Sequence, residues 1–115
     1  MKKDNEKLVV LWTSGDKEVA TSMLFMYTLN SKLRGWWDDI TLIVWGPSAK
    51  LLSNDEELQD YLQKMKESGI KLEACKACSD GYGVTDKLEV LGIEVKSMGQ
   101  PFTNYIKKDY NIITI

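Results

Sequence analysis

Two short, almost uninterrupted apolar runs, Lys7-Leu8-Val9-Val10-Leu11-Trp12 and Ile40-Thr41-Leu42-Ile43-Val44-Trp45, constrain this chain more than any other feature. A strand that meets water on one face alternates apolar and polar residues. A run that is apolar at nearly every position needs cover on both faces, as a parallel strand in an α/β sheet has. The first run reads as the central strand. Thr13-Ser14-Gly15-Asp16 supplies turn and capping residues after it, and Val19, Ala20, Met23, Leu24 and Tyr27 then recur with helical spacing to about Leu33. Gly35-Trp36-Trp37-Asp38-Asp39 ends that helix, and Gly46-Pro47 stops the second strand.

The same alternation continues to the end of the chain. Ser48 to Leu52 predicts a helical turn, and Ser53 with Glu56 carries a capping-box pattern ahead of a helix whose Leu58, Tyr61, Leu62 and Met65 share one face. Gly69 is placed to end it. Ile70-Lys71-Leu72-Glu73-Ala74 alternates with the strand period, and Cys75 follows. Thr85 to Leu91 predicts a short helix ended by Gly92, Ile93-Glu94-Val95 a fourth strand, and Pro101 suits the first turn of a helix through Phe102, Tyr105 and Ile106. Asn111 to Ile115 closes the chain as a fifth strand. Five strands separated by helices predict a mostly parallel sheet with helices on both faces, because parallel neighbours need such crossovers. At 115 residues the chain is expected to be one domain, 1–115.

Composition narrows the function classes. A net charge of -2 offers no broad basic surface, so nucleic acid is not an expected partner. The start, Met1 to Lys7, is basic at first, but the apolar run after it is too short for a signal-peptide core, and no stretch is long enough to span a bilayer. Two cysteines three apart cannot staple a secreted scaffold, so a cytoplasmic location is expected. The chain contains no histidine. That removes Ser-His-Asp and Cys-His catalysis and His-ligated metal sites, and the reading calls for no bound cofactor. Thr13-Ser14-Gly15-Asp16 lacks both G-x-G-x-x-G and G-x-x-x-x-G-K, so it reads as a helix cap and not as a nucleotide site.

The chemistry concentrates in Cys75-Lys76-Ala77-Cys78-Ser79-Asp80-Gly81-Tyr82-Gly83. After the strand, Cys75 begins a helical turn broken by Gly81 and Gly83. A sulfur at such a junction is expected to point at unpaired backbone N–H groups, which favour thiolate, with Lys76 adding a positive neighbour to Cys75 and Asp80 a negative one to Cys78. An unperturbed thiol titrates near about 8.5, so a modest shift decides how much nucleophile exists at neutral pH. The alternative use of each cysteine is as a small buried hydrophobe. Trp12 and Trp45, near the carboxyl ends of the first two strands, are placed to wall the thiol at the edge where open α/β sheets hold ligands, or else to serve as core or subunit contacts.

Cys75-Lys76-Ala77-Cys78-Ser79-Asp80, then Gly83-Val84, Leu91-Gly92-Ile93-Glu94-Val95, and Met98-Gly99 with Thr103, together resemble the DsrE/DsrF-like family. Trp45-Gly46-Pro47-Ser48 and Thr13-Ser14-Gly15-Asp16 fall where that family carries its loops. The resemblance covers nearly the whole chain. It implies a three-layer α/β/α sandwich of DsrEFH type, with flavodoxin-like or Rossmann-like topology, assembling as trimers or hexamers. In characterised branches it also implies sulfur carried as a cysteine persulfide. The relay cysteine of those branches stands eight residues before the glycine of the Gly-Val pair, which picks out Cys75; Cys78 is an addition found in some branches. Three readings follow. The first is a sulfur carrier on Cys75, with Cys78 resolving or protecting the load and with protein donors and acceptors of sulfur as partners. The second is a C-x-x-C redox dithiol of Cys75 and Cys78. The third is an oligomeric binding module whose cysteines ligate metal only across a subunit interface, since one chain cannot complete four ligands from two cysteines. Four tryptophans and five tyrosines are a large aromatic load for one small domain and agree with a homo-oligomer.

Overall fold

The computed structural model describes residues 6–115; the basic start, Met1 to Asn5, lies outside the described residues. Five strands, β1 (Lys7–Trp12), β2 (Asp39–Val44), β3 (Lys71–Cys75), β4 (Glu94–Lys96) and β5 (Asn111–Thr114), form one all-parallel sheet in the order β4-β3-β2-β1-β5. The central strand is therefore β2, not β1 as the sequence suggested. Both runs are interior and need cover on both faces, and nothing local to either reveals that two strands, β3 and β4, lie beyond β2 while only β5 lies beyond β1.

The helices divide unequally between the faces. The first crossover is one continuous helix over 17–33: α1 (Lys17–Val19), a π-helical turn (Ala20–Leu24) and α2 (Phe25–Leu33). Its start is an ordinary cap, with the Asp16 carboxylate accepting from the N–H of Glu18 at 2.8 Å and of Val19 at 3.3 Å. Next come α3 (Pro47–Ser53) and α4 (Glu56–Glu67) after β2, and α5 (Lys76–Tyr82) and α6 (Thr85–Val90) after β3. The Ser53–Glu56 capping box does not form. Asp55 caps α4, accepting from Leu58 N–H at 3.1 Å, while the Ser53 hydroxyl donates back to the Lys50 carbonyl. Asp55 is one residue before the helix, so its carboxylate reaches the first turn that Ser53, still inside α3, cannot.

Strands β1 to β4 advance in one direction across the sheet, so right-handed crossovers lay α1 to α6 on one face. The chain then returns past β1 to add β5, and that reversal lays α7 (Gly99–Lys107) on the other. Leu8, Val10 and Trp12 of β1, with Leu42, Val44, Leu72 and Ala74, meet Leu24, Phe25, Leu52, Leu58, Leu62 and Leu88 in the larger core. The opposite parity, Val9, Ile43 and Cys75, packs with Met98, Phe102 and Tyr105 in the smaller one. The result is the three-layer α/β/α arrangement, sharing the doubly wound plan of flavodoxin-like and Rossmann sheets with a strand order of its own. Among the described residues no helix is long and apolar enough to cross a membrane.

Candidate functional site

Adjacent strands whose following helices leave to opposite faces open a crevice at their carboxyl ends. In this sheet those strands are β3, which runs into α5, and β4, which runs into α7. Cys75 is the last residue of β3, in register with Lys96 at the end of β4. It is also the residue that caps α5, with φ -74° and ψ 116°. Its place at the strand-to-helix junction is thus as read from the sequence.

The surroundings of the sulfur differ in part. The Cys75 side chain makes no capping hydrogen bond to α5. It faces instead into the smaller core, 6% exposed, among Val9, Ile43 and Met98, with Trp45, Cys78 and Phe102 packed against them. Lys76, the positive neighbour expected for Cys75, is engaged by Asp80, four residues on, at 2.7 Å. Asp80 also accepts from Thr85, and the buried Ser79 hydroxyl meets the Thr85 hydroxyl at 2.7 Å, so α5 is pinned to α6 on the side away from the thiols. Gly83, at φ 70°, closes α5 in the left-handed conformation. Gly81 does not break the helix but lies inside it.

Cys78, half-buried, lies in the third position of α5 and its thiol adjoins that of Cys75. Burial pushes the Cys78 thiol up from its ordinary value; the backbone N–H of Gly46 opposes this, and the neighbouring Cys75 reinforces it. Nothing local to the cysteine segment signals that Gly46 takes part. It stands at φ 77° and ψ -144°, a conformation open to glycine, at the end of β2. The loop holding it is fixed from behind: Trp45 N–H donates to the Trp12 carbonyl at 3.0 Å, and the Ser48 hydroxyl donates to the same carbonyl at 2.6 Å. Gly15 lets the first loop approach, since a Cβ there would lie 3.2 Å from the Pro47 Cβ.

Of the two tryptophans proposed as a wall, one serves. Trp45 shares the cluster of Cys75, its ring edge-on to Phe102 with centroids 5.5 Å apart. Trp12 points to the opposite face, fully buried against Phe25, and is core. The period of two decides this, because Trp12 has the parity of Leu8 and Val10 while Cys75 shares its face with Glu73.

Glu73 carries no local signal of a functional position. Its alternating strand reads as half-exposed, yet Glu73 is fully buried beneath α7. The Tyr105 hydroxyl donates to its Oε1 at 2.6 Å, and the ammonium groups of Lys96 and Lys71 approach Oε2 at 2.7 and 3.3 Å. Burial pushes this carboxyl up, but Lys96, Tyr105 and Lys71 together outweigh it and hold Glu73 below the usual carboxylate range. The network lies one residue pair behind Cys75 on its own face of the sheet. Among the described residues, no three cysteine, aspartate or glutamate side chains converge as a metal-binding group.

The arrangement is that of a sheltered thiol with a second thiol beside it at the mouth of a doubly wound sheet. Comparison with known proteins places it in a family. A conserved protein of unknown function from Bacteroides thetaiotaomicron, BT1422, is 45% identical, superposes with a TM-score of 0.93, and matches over 96% of this chain and 95% of its own. MTH1491 of Methanobacterium thermoautotrophicum, also described as of unknown function, shares the fold at 18% identity and a TM-score of 0.77, over 95% of this chain and 98% of its own. The ychN protein of Escherichia coli shares it at 13% identity and 0.72, over 96% and 99%. No curated protein matches the sequence. The DsrE/DsrF-like family model matches residues 6–115, a span that takes in every strand of the sheet and both cysteines, and the chain belongs to that family.

Proposed function

We propose that this protein is an intracellular sulfur carrier in which Cys75 holds sulfane sulfur as a persulfide. The observation that carries the reading is the position of Cys75: at the carboxyl end of β3, where the connections of β3 and β4 diverge, and walled by Trp45, Met98 and Phe102. The Cys75 thiolate attacks the outer sulfur of a donor persulfide, the donor S–S bond breaks, and the donor thiolate leaves. An acceptor thiolate removes the same sulfur by the reverse step. An apolar wall suits this chemistry, because a persulfide left open to solvent thiols would be lost to them.

The same reading takes residues 1–115 as one domain in a cytoplasmic homo-oligomer, trimeric or hexameric, that meets sulfur donor and acceptor proteins. Exposed Met23, Met26, Leu33 and Trp36 along and beyond the first helix support association. The test is the mass of the peptide containing Cys75 after incubation with a persulfide donor and removal of excess donor, without reductant. One added sulfur atom is expected in Cys78→Ser and none in Cys75→Ser. No added sulfur in wild type or Cys78→Ser, with several donors, would overturn the carrier reading. A second reading, a dithiol that cycles to a disulfide without carrying sulfur, is favoured by the adjoining thiols alone.

A further inference from the structure

We propose that Cys78 discharges the sulfur held on Cys75 as hydrosulfide, closing a Cys75–Cys78 disulfide, so that the protein is a persulfide-reducing dithiol as well as a carrier. The inference rests on the carrier reading and adds the fate of the sulfur. Its basis is local geometry. Cys75 caps α5 and Cys78 is the third residue inside it, so the two stand one helical turn apart at the start of the helix. Residues three apart on an α-helix have Cα atoms about 5 Å apart. A disulfide spans about 4.4–6.8 Å between Cα atoms, a range that this spacing falls within. The two thiols already adjoin, and the Gly46 N–H faces the Cys78 sulfur, where it partly offsets the effect of burial on the thiolate.

The two cysteines also divide by access. Cys75 is almost fully covered, whereas Cys78 is half-buried on the outer side of the same cluster. A persulfide on Cys75 has no other thiol of this chain to meet, because these two are its only cysteines. The Cys78 thiolate attacks the Cys75 sulfur, the bond from that sulfur to the sulfane sulfur breaks, and HS⁻ leaves with the bonding pair. The sulfane sulfur is reduced by two electrons and the cysteine pair is oxidised to a disulfide, so the step balances with no other reactant. A dithiol reductant of the thioredoxin class is needed to return the pair to thiols and begin another cycle.

The experiment loads wild type, Cys78→Ser, Cys78→Ala and Cys75→Ser with glutathione persulfide anaerobically, then removes the donor on a desalting column. Hydrosulfide is trapped with monobromobimane, and the cysteine peptide is weighed over time. Wild type is expected to release hydrosulfide and to end with a peptide lighter by two hydrogens, one hydrosulfide for each disulfide. Both Cys78 variants are expected to keep the extra sulfur on Cys75 and to release it slower by about tenfold or more, the advantage of a neighbouring nucleophile being lost. If wild type keeps its sulfur as long as the Cys78 variants, or releases hydrosulfide without forming the disulfide, this inference is overturned while the carrier reading stands. If neither wild type nor either Cys78 variant loads, the carrier reading fails and this step falls with it.

Discussion

Tyr105→Phe removes one oxygen from the buried network behind Cys75 and leaves the ring in place. That oxygen donates at 2.6 Å to a carboxylate with no exposed surface. A hydrogen bond to a charged group contributes about 1.5–3 kcal/mol, and water cannot readily replace this one, so a loss of about 2 kcal/mol is expected near neutral pH. With an unfolding entropy of about 2.1 cal/mol/K per residue, that loss lowers Tm by about 8 °C for a chain of this length. The deficit depends on pH in both directions. Glu73 titrates below its ordinary value, so its contribution is present above the unfolded pKa of about 4.3 and is lost as pH falls through the folded value. Removing the Tyr105 donor brings the folded pKa of Glu73 back toward that ordinary value, and the gap between variant and wild type therefore narrows in acid. Burial and Glu73 raise the Tyr105 pKa, so the contribution of the neutral phenol is complete below about 10 and is lost as pH rises through the folded value. Phenylalanine has no such loss, and the gap narrows in alkali as well. Urea unfolding of both proteins across this range should trace a deficit largest near neutrality. A difference under about 0.5 kcal/mol at neutral pH, or one that does not vary with pH, would refute the account of Glu73 as an ionised, tyrosine-bonded carboxylate.

Three further outcomes are expected. The single thiol of Cys75→Ser, Cys78, should alkylate slowly at neutral pH and gain rate only above the ordinary thiol range, because burial still raises it once Cys75 is gone; a rate that levels off below about 8.5 would contradict this. Gly46→Ala forces a side chain into a conformation reserved for glycine and should lower stability by about 1–3 kcal/mol in urea unfolding, with unchanged stability counting against the strain. Light scattering at micromolar concentration should find an assembly, and a clean 13.1 kDa monomer would remove the homo-oligomer.

The fold was legible because its signals are local. Uninterrupted apolar runs demand two covered faces, and helical spacing with Gly35, Gly69 and Gly92 marks where the first three crossovers turn back. Cys75 was legible for the same reason: it stands where one period changes into the other. What escaped depends on residues distant in sequence. Glu73 alternates with Leu72 and Ala74 as an exposed residue would, and its burial is decided by Lys96 and by Tyr105, 32 residues away. The Gly46 N–H reaches Cys78 only because β2 and β3 are neighbours, and the separation of Trp12 from Trp45 follows from the parity of two strands, which no single run reveals. The cap on α4 failed differently, since Ser53 and Asp55 both suit the role and only the end of α3 chooses between them.

Helix α7 lies over the face of the sheet that holds Cys75, yet none of its nine residues is buried. The helices on the other face each contribute at least one buried residue beyond the short opening turn of α1. A helix so lightly held detaches at a free energy well below that of global unfolding. Its backbone amides should exchange with deuterium earlier than those of α4, and in that exchange the Cys75 sulfur gains a route to solvent while the sheet behind it stays intact. Amide exchange of α7 and the modification rate of Cys75 should therefore rise and fall together as temperature or denaturant is varied.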